Sequence, residues 1–223
     1  TSLSAWGTGG NLLRNGNSDL WDLGTSFTAA TVPLNSDDTY LLPGICLLSD
    51  GNDRVDVTQE ATIIPAGSRY AIKLEVETVT AAPNSEKFGL IRFLSAAEVI
   101  PLRGKQLCYS VQARTTSLAV ENVRIHILEW TGTADTITSD VVNAWGVEGT
   151  DPTLVASWAD ISDDTDTDNL LTNAFQTFSV TGTVGATATN LAVFIHVDDT
   201  DLAAGDLLYI AQEQLEVGSH LTQ

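Results

Sequence analysis

The chain has 223 residues, 29 acidic against 10 basic side chains, and a net charge of −19. A DNA duplex carries one charge per ~1.7 Å, which a protein neutralises with Lys and Arg, so this composition argues against nucleic acid as a partner and would be repelled by an anionic membrane. No run reaches the ~18 apolar residues of a membrane span, and 43% hydrophobic residues suit a folded core.

Taken in chain order, residues 1–10 are rich in Gly, Ser and Thr and read as an N-terminal arm, leaving 11–223 as one domain. The chain contains no Met. Removal of an initiator Met before Thr1 is the expectation, which would make the chain complete and leave no room for a fibre shaft or catalytic domain. Residues 69–78 alternate strictly, with Tyr70, Ile72, Leu74 and Val76 on one face and Ala71, Lys73, Glu75 and Glu77 on the other. A short turn near residues 96–99 is the best helix candidate. In 103–114 a Gly104-Lys105 turn opens another alternation: Leu107, Tyr109, Val111 and Ala113 point inward, and Cys108, Ser110, Gln112 and Arg114 outward. Residues 120–130 place Val123, Ile125 and Ile127 inward. Residues 175–184 follow with Phe178, Val180 and Val184, and 190–197 with Leu191, Val193, Ile195 and Val197. Residues 207–215 form a last apolar strand of unresolved parity. Period two is the signature of half-buried strands, and Gly, Asn, Asp, Thr and Pro clusters separate them. The expected fold is all-β, a jelly-roll-type antiparallel β-sandwich. The longest irregular stretch, 132–172, holds Trp145, Trp158 and an acidic cluster, and a loop of that length marks function or an interface.

Four segments resemble a β-sandwich domain of bacteriophage virion proteins, notably tail and head fibres, that is related to carbohydrate-binding modules. They are Asn11-Leu12-Leu13-Arg14-Asn15-Gly16 leading to Trp21 and Gly24-Thr25-Ser26-Phe27; Phe88-Gly89-Leu90 with Leu102-Arg103-Gly104-Lys105; Phe175-Gln176-Thr177-Phe178-Ser179-Val180-Thr181; and Gln214-Leu215-Glu216-Val217-Gly218-Ser219. The resemblance implies a virion-surface location, other virion proteins as partners and a homotrimer. The chain departs from it twice. Tyr40-Leu41-Leu42-Pro43-Gly44-Ile45-Cys46 stands where the family often has Asp-Arg-Trp, and Gln112 stands where it often has an outward Trp.

Several constellations could carry chemistry. Gln112, Arg114, Arg124, His126, Trp130, Phe194 and His196 point away from the core of their strands, and neighbouring strands would gather them on one face. An aromatic platform with planar donors suits a sugar; burial under a loop or a subunit, or a His-based metal site, are the alternatives for the same face. Asp163, Asp164, Asp166 and Asp168, and separately Asp198, Asp199 and Asp201, offer oxygen ligands of the kind Ca²⁺ takes. Asp164, Asp166 and Asp168 are the weak Ca²⁺ candidates, and solvated turns are the plainer account; no cofactor is expected. Trp6, Trp145 and Trp158 lie in loop-like sequence and suit subunit contacts, whereas Trp21 suits the core. Cys46 and Cys108 read as lone thiols, with one disulfide left open. No nucleophile or phosphate-loop motif is present, so the chain is expected not to be an enzyme. The leading expectation is a structural protein that decorates or stabilises a phage particle, of capsid-decoration or head-fibre type. The alternatives are a host-surface glycan-binding attachment module of a tail or head fibre, and a carbohydrate-binding module of a secreted glycan-active system.

Overall fold

Strands that bury one face need a second layer, and the chain supplies it by crossing repeatedly between two sheets. The structure, a computed structural model, describes residues 10–28, 39–49, 54–78, 87–163, 168–199 and 201–220. The strands are β1 (Ser26–Phe27), β2 (Thr39–Leu42), β3 (Ile45–Ser49), β4 (Arg54–Glu60), β5 (Ala71–Thr78), β6 (Phe88–Leu94), β7 (Gln106–Thr115) and β8 (Asn122–Trp130), followed by β9 (Val142–Ala144), β10 (Thr153–Leu154), β11 (Trp158–Asp160), β12 (Asn169–Leu170), β13 (Gln176–Thr183), β14 (Asn190–Val197) and β15 (Leu207–Val217). The one α-helical turn, α1 (Ala96–Val99), sits where the sequence suggests, opened by a capping box between Ser95 and Glu98.

The first sheet has the order β1-β4-β5-β15-β7-β13. The second has the order β11-β8-β14-β6-β3-β2, with β12 also on β8. All their pairings are antiparallel. From β5 onward the main strands alternate between the sheets: β5, β7, β13 and β15 in the first, β6, β8 and β14 in the second. The result is a β-sandwich of jelly-roll type. Between the sheets lie the inward residues that the alternation marks, including Ile72, Leu74, Tyr109, Val111, Val123, Ile125, Ile127, Leu191, Val193 and Ile195.

A bulge in β15 explains its unresolved parity. Its register to β7 slips between Ala211 and Gln214, and Gln212 takes φ 48°. One extra residue turns the strand over: Leu208 and Ile210 face the core before the bulge, Leu215 after it. The bulge carries Glu213 inward, to 2% exposure. There it bonds Arg92 Nε across the sandwich at 2.6 Å and accepts from the Tyr109 hydroxyl at 3.0 Å. Burial and the Glu213 charge push the Tyr109 phenol well up, so it stays a donor.

This buried pair also anchors the N-terminal motif. Arg92 donates to the carbonyls of Arg14 and Asn15. Asn11 donates to the Glu213 carbonyl and accepts from the Leu215 amide. A Cβ on Gly16 would collide with the Glu213 carbonyl and the Asn11 amide nitrogen, so only glycine fits there. The first and last resembling segments therefore lie against each other. The third segment lies along β13, which pairs with β7, the strand that the second segment leads into, with Thr181 opposite Cys108 and Val180 opposite Tyr109. Trp21 is half-buried against the main core.

The stretch 132–172, described over residues 132–163 and 168–172, holds more regular structure than its sequence suggests. It contributes β9 to β12, and a second hydrophobic cluster lies beneath it on the outer face of the second sheet, with Cys46, Leu48, Ile91, Leu128, Val141, Trp158, Ala192 and Phe194. All eight residues of β14 are buried as a result. Cys46 and Cys108 are separate buried thiols on different sheets. No helix among the described residues is long and apolar enough to cross a membrane.

Candidate functional site

The seven outward residues do not share one face. β7 belongs to the first sheet and β8 and β14 to the second, so Gln112 and Arg114 lie on one side of the sandwich and Arg124, His126, Trp130, Phe194 and His196 on the other. Consecutive strands β7 and β8 part company because the chain between them crosses the sandwich edge.

On the second sheet, β8 and β14 pair with Phe194 opposite His126 and His196 opposite Arg124. This face is closed. Arg124, His126, Phe194 and His196 are all at most 2% exposed. Trp145 packs on the Phe194 and His196 rings at centroid distances of 5.9 and 5.8 Å. Trp158, expected in an exposed loop, is buried in β11 and packs on Trp130 at 5.4 Å. Trp130 is thus part of the covered cluster and not an open platform. Trp6 and most of the 1–10 arm lie outside the described residues.

The cover is fastened by charge. Arg124 bonds Asp151 and Asp168 at 2.7 Å each and meets Asp198 at 3.0 Å. Lys87, fully buried, holds Asp198 at 2.5 Å and donates to the Val147 carbonyl. Asp198 also accepts from the Gly149 amide. Burial disfavours the Arg124 cation, but its carboxylates outweigh this and raise its pKa. The acidic clusters therefore supply counter-ions: Asp168 pairs with Arg124, Asp163 accepts from Thr181, and Asp199 caps the Glu121 and Asn122 amides. Asp164 and Asp166 lie outside the described residues. The ligand atoms of His126, Asp151 and Asp160 fall within 4.8 Å of one another, but Arg124 already occupies Asp151 and His126 occupies Asp160.

Asp199 gives a prediction. Burial, helped by the Glu148 and Glu121 charges, pushes it up to about 7 against its two backbone bonds. An acid raised above its unfolded value of ~3.9 binds more protons in the native state, so its stabilisation is present at low pH and lost as pH rises toward about 7. Asp199→Asn keeps an acceptor for both amides and removes that loss. Urea unfolding should show the variant ~1–2 kcal/mol more stable than the parent at about pH 8 and equal to it at about pH 4; equal pH profiles would sink the assignment.

The outer face of the first sheet is less completely covered: Cys108, Ser110, Tyr209 and Ala211 are at most 3% exposed, but Gln112 and Arg114 are only half-buried. Its residues belong to neither hydrophobic cluster. Register places Tyr209 beside Arg114, and Ala211 and Thr177 on either side of Gln112. The Arg114 guanidinium lies 5.7 Å from the Phe175 ring centre and 5.6 Å from that of Tyr209. Its buried Nε has no hydrogen-bond partner among the described residues. Gln112 is half-buried; Thr177 and Ser179 are exposed. Tyr209 and Ala211 beside them are buried, at 3% and 1% exposure. The sequence alone did not bring Tyr209 and Phe175 here. The β15 bulge hid the parity of the first, and the second precedes the edge strand whose neighbour only the pairing reveals.

No family model matches the chain, and no curated protein matches it. Solved structures resemble it in fold. An arabinose-bound α-L-arabinofuranosidase, MgGH51, aligns at TM-score 0.52 and 13% identity, over 95% of this chain and 27% of its own. The CBM22-1 xylan-binding domain of Paenibacillus barcinonensis Xyn10C aligns at TM-score 0.46 and 9% identity, over 94% and 96%. The enzymatically active domain of bacteriophage CBA120 tailspike protein 4 aligns at TM-score 0.48 and 9% identity, over 93% and 21%. The chain thus spans about a quarter of the two longer proteins and nearly all of the xylan-binding domain. At these identities the likeness is one of fold alone, an antiparallel β-sandwich.

Proposed function

We propose that the protein is a non-catalytic glycan-binding module that recognises its ligand on the outer face of the first sheet. The observation that carries this is Arg114, a cation fixed between two aromatic rings with a desolvated, unpartnered Nε, one outward position along β7 from Gln112 on the same face. Sugars are recognised by planar donors for their hydroxyls and aromatic rings for their C–H faces, and this face offers the half-buried Arg114 and Gln112 beside the half-buried Phe175 ring. The other face, covered by its own chain, offers neither to a ligand. In this reading the module attaches to glycans of a host surface, on a virion and as a trimer, as the family resemblance implies. Weak single sites would then act through many copies. Particle decoration is the second reading, less favoured because Trp145 and Trp158, its expected subunit contacts, pack inward.

The test is a glycan array probed with the multivalent protein, followed by titration of any hit. Arg114→Ala and Phe175→Ala should each weaken binding by ~1–3 kcal/mol, the range of an interface anchor, with circular dichroism unchanged. Trp130→Phe, on the opposite sheet, should leave affinity as it was. An array at background, or hits indifferent to Arg114, would overturn the proposal; substitutions that instead shift the oligomeric state would favour decoration.

A further inference from the structure

The covered face contains a row of hydrogen bonds that two neutral histidines cannot make. His126 Nδ1 lies 2.6 Å from Asp160 Oδ2. His126 Nε2 lies 3.1 Å from His196 Nε2. His196 Nδ1 lies 3.0 Å from the Val197 carbonyl oxygen. The carbonyl only accepts, so His196 Nδ1 carries a proton and, in a neutral ring, His196 Nε2 is bare. An ionised Asp160 only accepts, so His126 Nδ1 carries a proton. The bond between the two Nε2 atoms then needs a second proton on His126. The row closes only with one proton more than two neutral rings hold.

Geometry decides what sits between the rings. The ring planes are 3° apart and the centroids 5.2 Å apart. The centroid separation exceeds the 3.1 Å nitrogen separation by close to two ring radii, so the nitrogens meet nearly head-on. A proton fits on that line. A zinc ion, which needs ~2.0–2.1 Å to each nitrogen, does not, because half of 3.1 Å is well short of that.

We propose that this one proton, held along Asp160, His126 and His196, latches the 142–160 segment onto the β8/β14 face, and that the cover loosens when the proton leaves. Asp160 ends the segment, at β11, and Trp145 within it packs on His196 and Phe194. The other charged groups around His126 are Arg124 on its own strand with Asp151 and Asp168, and behind His196 the pair Lys87 and Asp198. These are paired with one another and leave Asp160 as the anion for His126. Supporting directions agree. Burial pushes Asp160 up, but the His126 hydrogen bond and charge, with two bonds from Ser162, hold it below the usual carboxylate range. Burial, then the charge of His126, push His196 well below its ordinary value and keep it neutral. Without the proton, two lone pairs face each other in a dry site, and the cover loses its bond to Asp160 or the contact between rings.

The chain has three histidines, and exposed His220 serves as an internal reference, so ring-nitrogen NMR on the intact protein reads the row directly. At about pH 6, where an ordinary histidine is mostly protonated, the row requires both nitrogens of His126 to be protonated and His196 to be the neutral Nδ1–H form. At about pH 9 His126 should be neutral, and amide exchange across 142–160, corrected for intrinsic rates, should be at least ~10-fold faster, the factor that ~1.4 kcal/mol gives. Exchange in β7 should not change. His126→Gln, which cannot titrate, should flatten the pH dependence of the cover. A neutral His126 at about pH 6, or a cover whose exchange ignores pH, would overturn the proposal, as would zinc that shifts both histidines and keeps the cover closed at about pH 9.

Discussion

Glu213→Ala is expected to cost ~3–5 kcal/mol, the cost of removing one partner from a buried ion pair. The loss has three parts. Arg92 stays 3% exposed with its charge unanswered. The Tyr109 hydroxyl, fully buried, loses its acceptor. The turn at residues 11–16, which hangs on the β15 bulge and on Arg92, loses its anchor. Replacing both charges together, Arg92→Met with Glu213→Leu, should recover a large part of that cost, because the penalty lies mainly in the orphaned charge. Denaturant unfolding of the two single variants and the double measures the coupling. Single variants within ~1 kcal/mol of the parent would mean that the pair is solvated and does not hold the sheets together.

Arg124→Leu should be as damaging and should respond to pH in a distinctive way. The substitution leaves Asp151, Asp168 and fully buried Asp198 around a missing cation, with Lys87 as the remaining counter-charge. A loss of ~3–5 kcal/mol is expected at about pH 7. In the variant three carboxylates share Lys87 as their one remaining cation, and uptake of a proton by the cluster relieves their mutual repulsion. The native state then binds the extra proton, so stability is recovered as pH falls and lost as it rises. Melting temperatures of variant and parent should converge as pH is lowered toward about 4. Parallel curves, or a cost below ~1 kcal/mol at about pH 7, would show that the Arg124 cluster is ornamental. Strand parity alone places Arg124 outward and says nothing of this cost. Parity tells which way a side chain leaves its strand, but not whether another segment lies on top of it.

The candidate surfaces show the same division. Gln112 and Arg114 were legible as outward residues, and so were Arg124, His126, Phe194 and His196. Their assignment to one face was not, because each alternation is a property of a few consecutive residues, whereas sheet membership depends on pairing partners as far apart as β7 and β15. Tyr209 escaped because one extra residue at the β15 bulge flips the strand, and nothing local in Ala211-Gln212-Glu213-Gln214 announces it. Strands β3 and β6 are harder still to read: Ile45-Cys46-Leu47-Leu48 and Gly89-Leu90-Ile91 are covered on both faces, so their sequences lack an alternation.

What the sequence determined by itself is therefore local: the alternating segments at 69–78, 103–114, 120–130, 175–184 and 190–197, the turn near 96–99, the inward set of the main core, and a strongly negative net charge. Those follow from side-chain period, turn chemistry and net charge, each readable within a short window. The tertiary structure decided which strands became neighbours, which outward face was covered by residues 142–160, which acids became counter-ions to Lys87 and Arg124, and that two histidines 70 positions apart meet head-on. These depend on desolvation and on distances set by chain crossings between sheets, and no short stretch of sequence contains either.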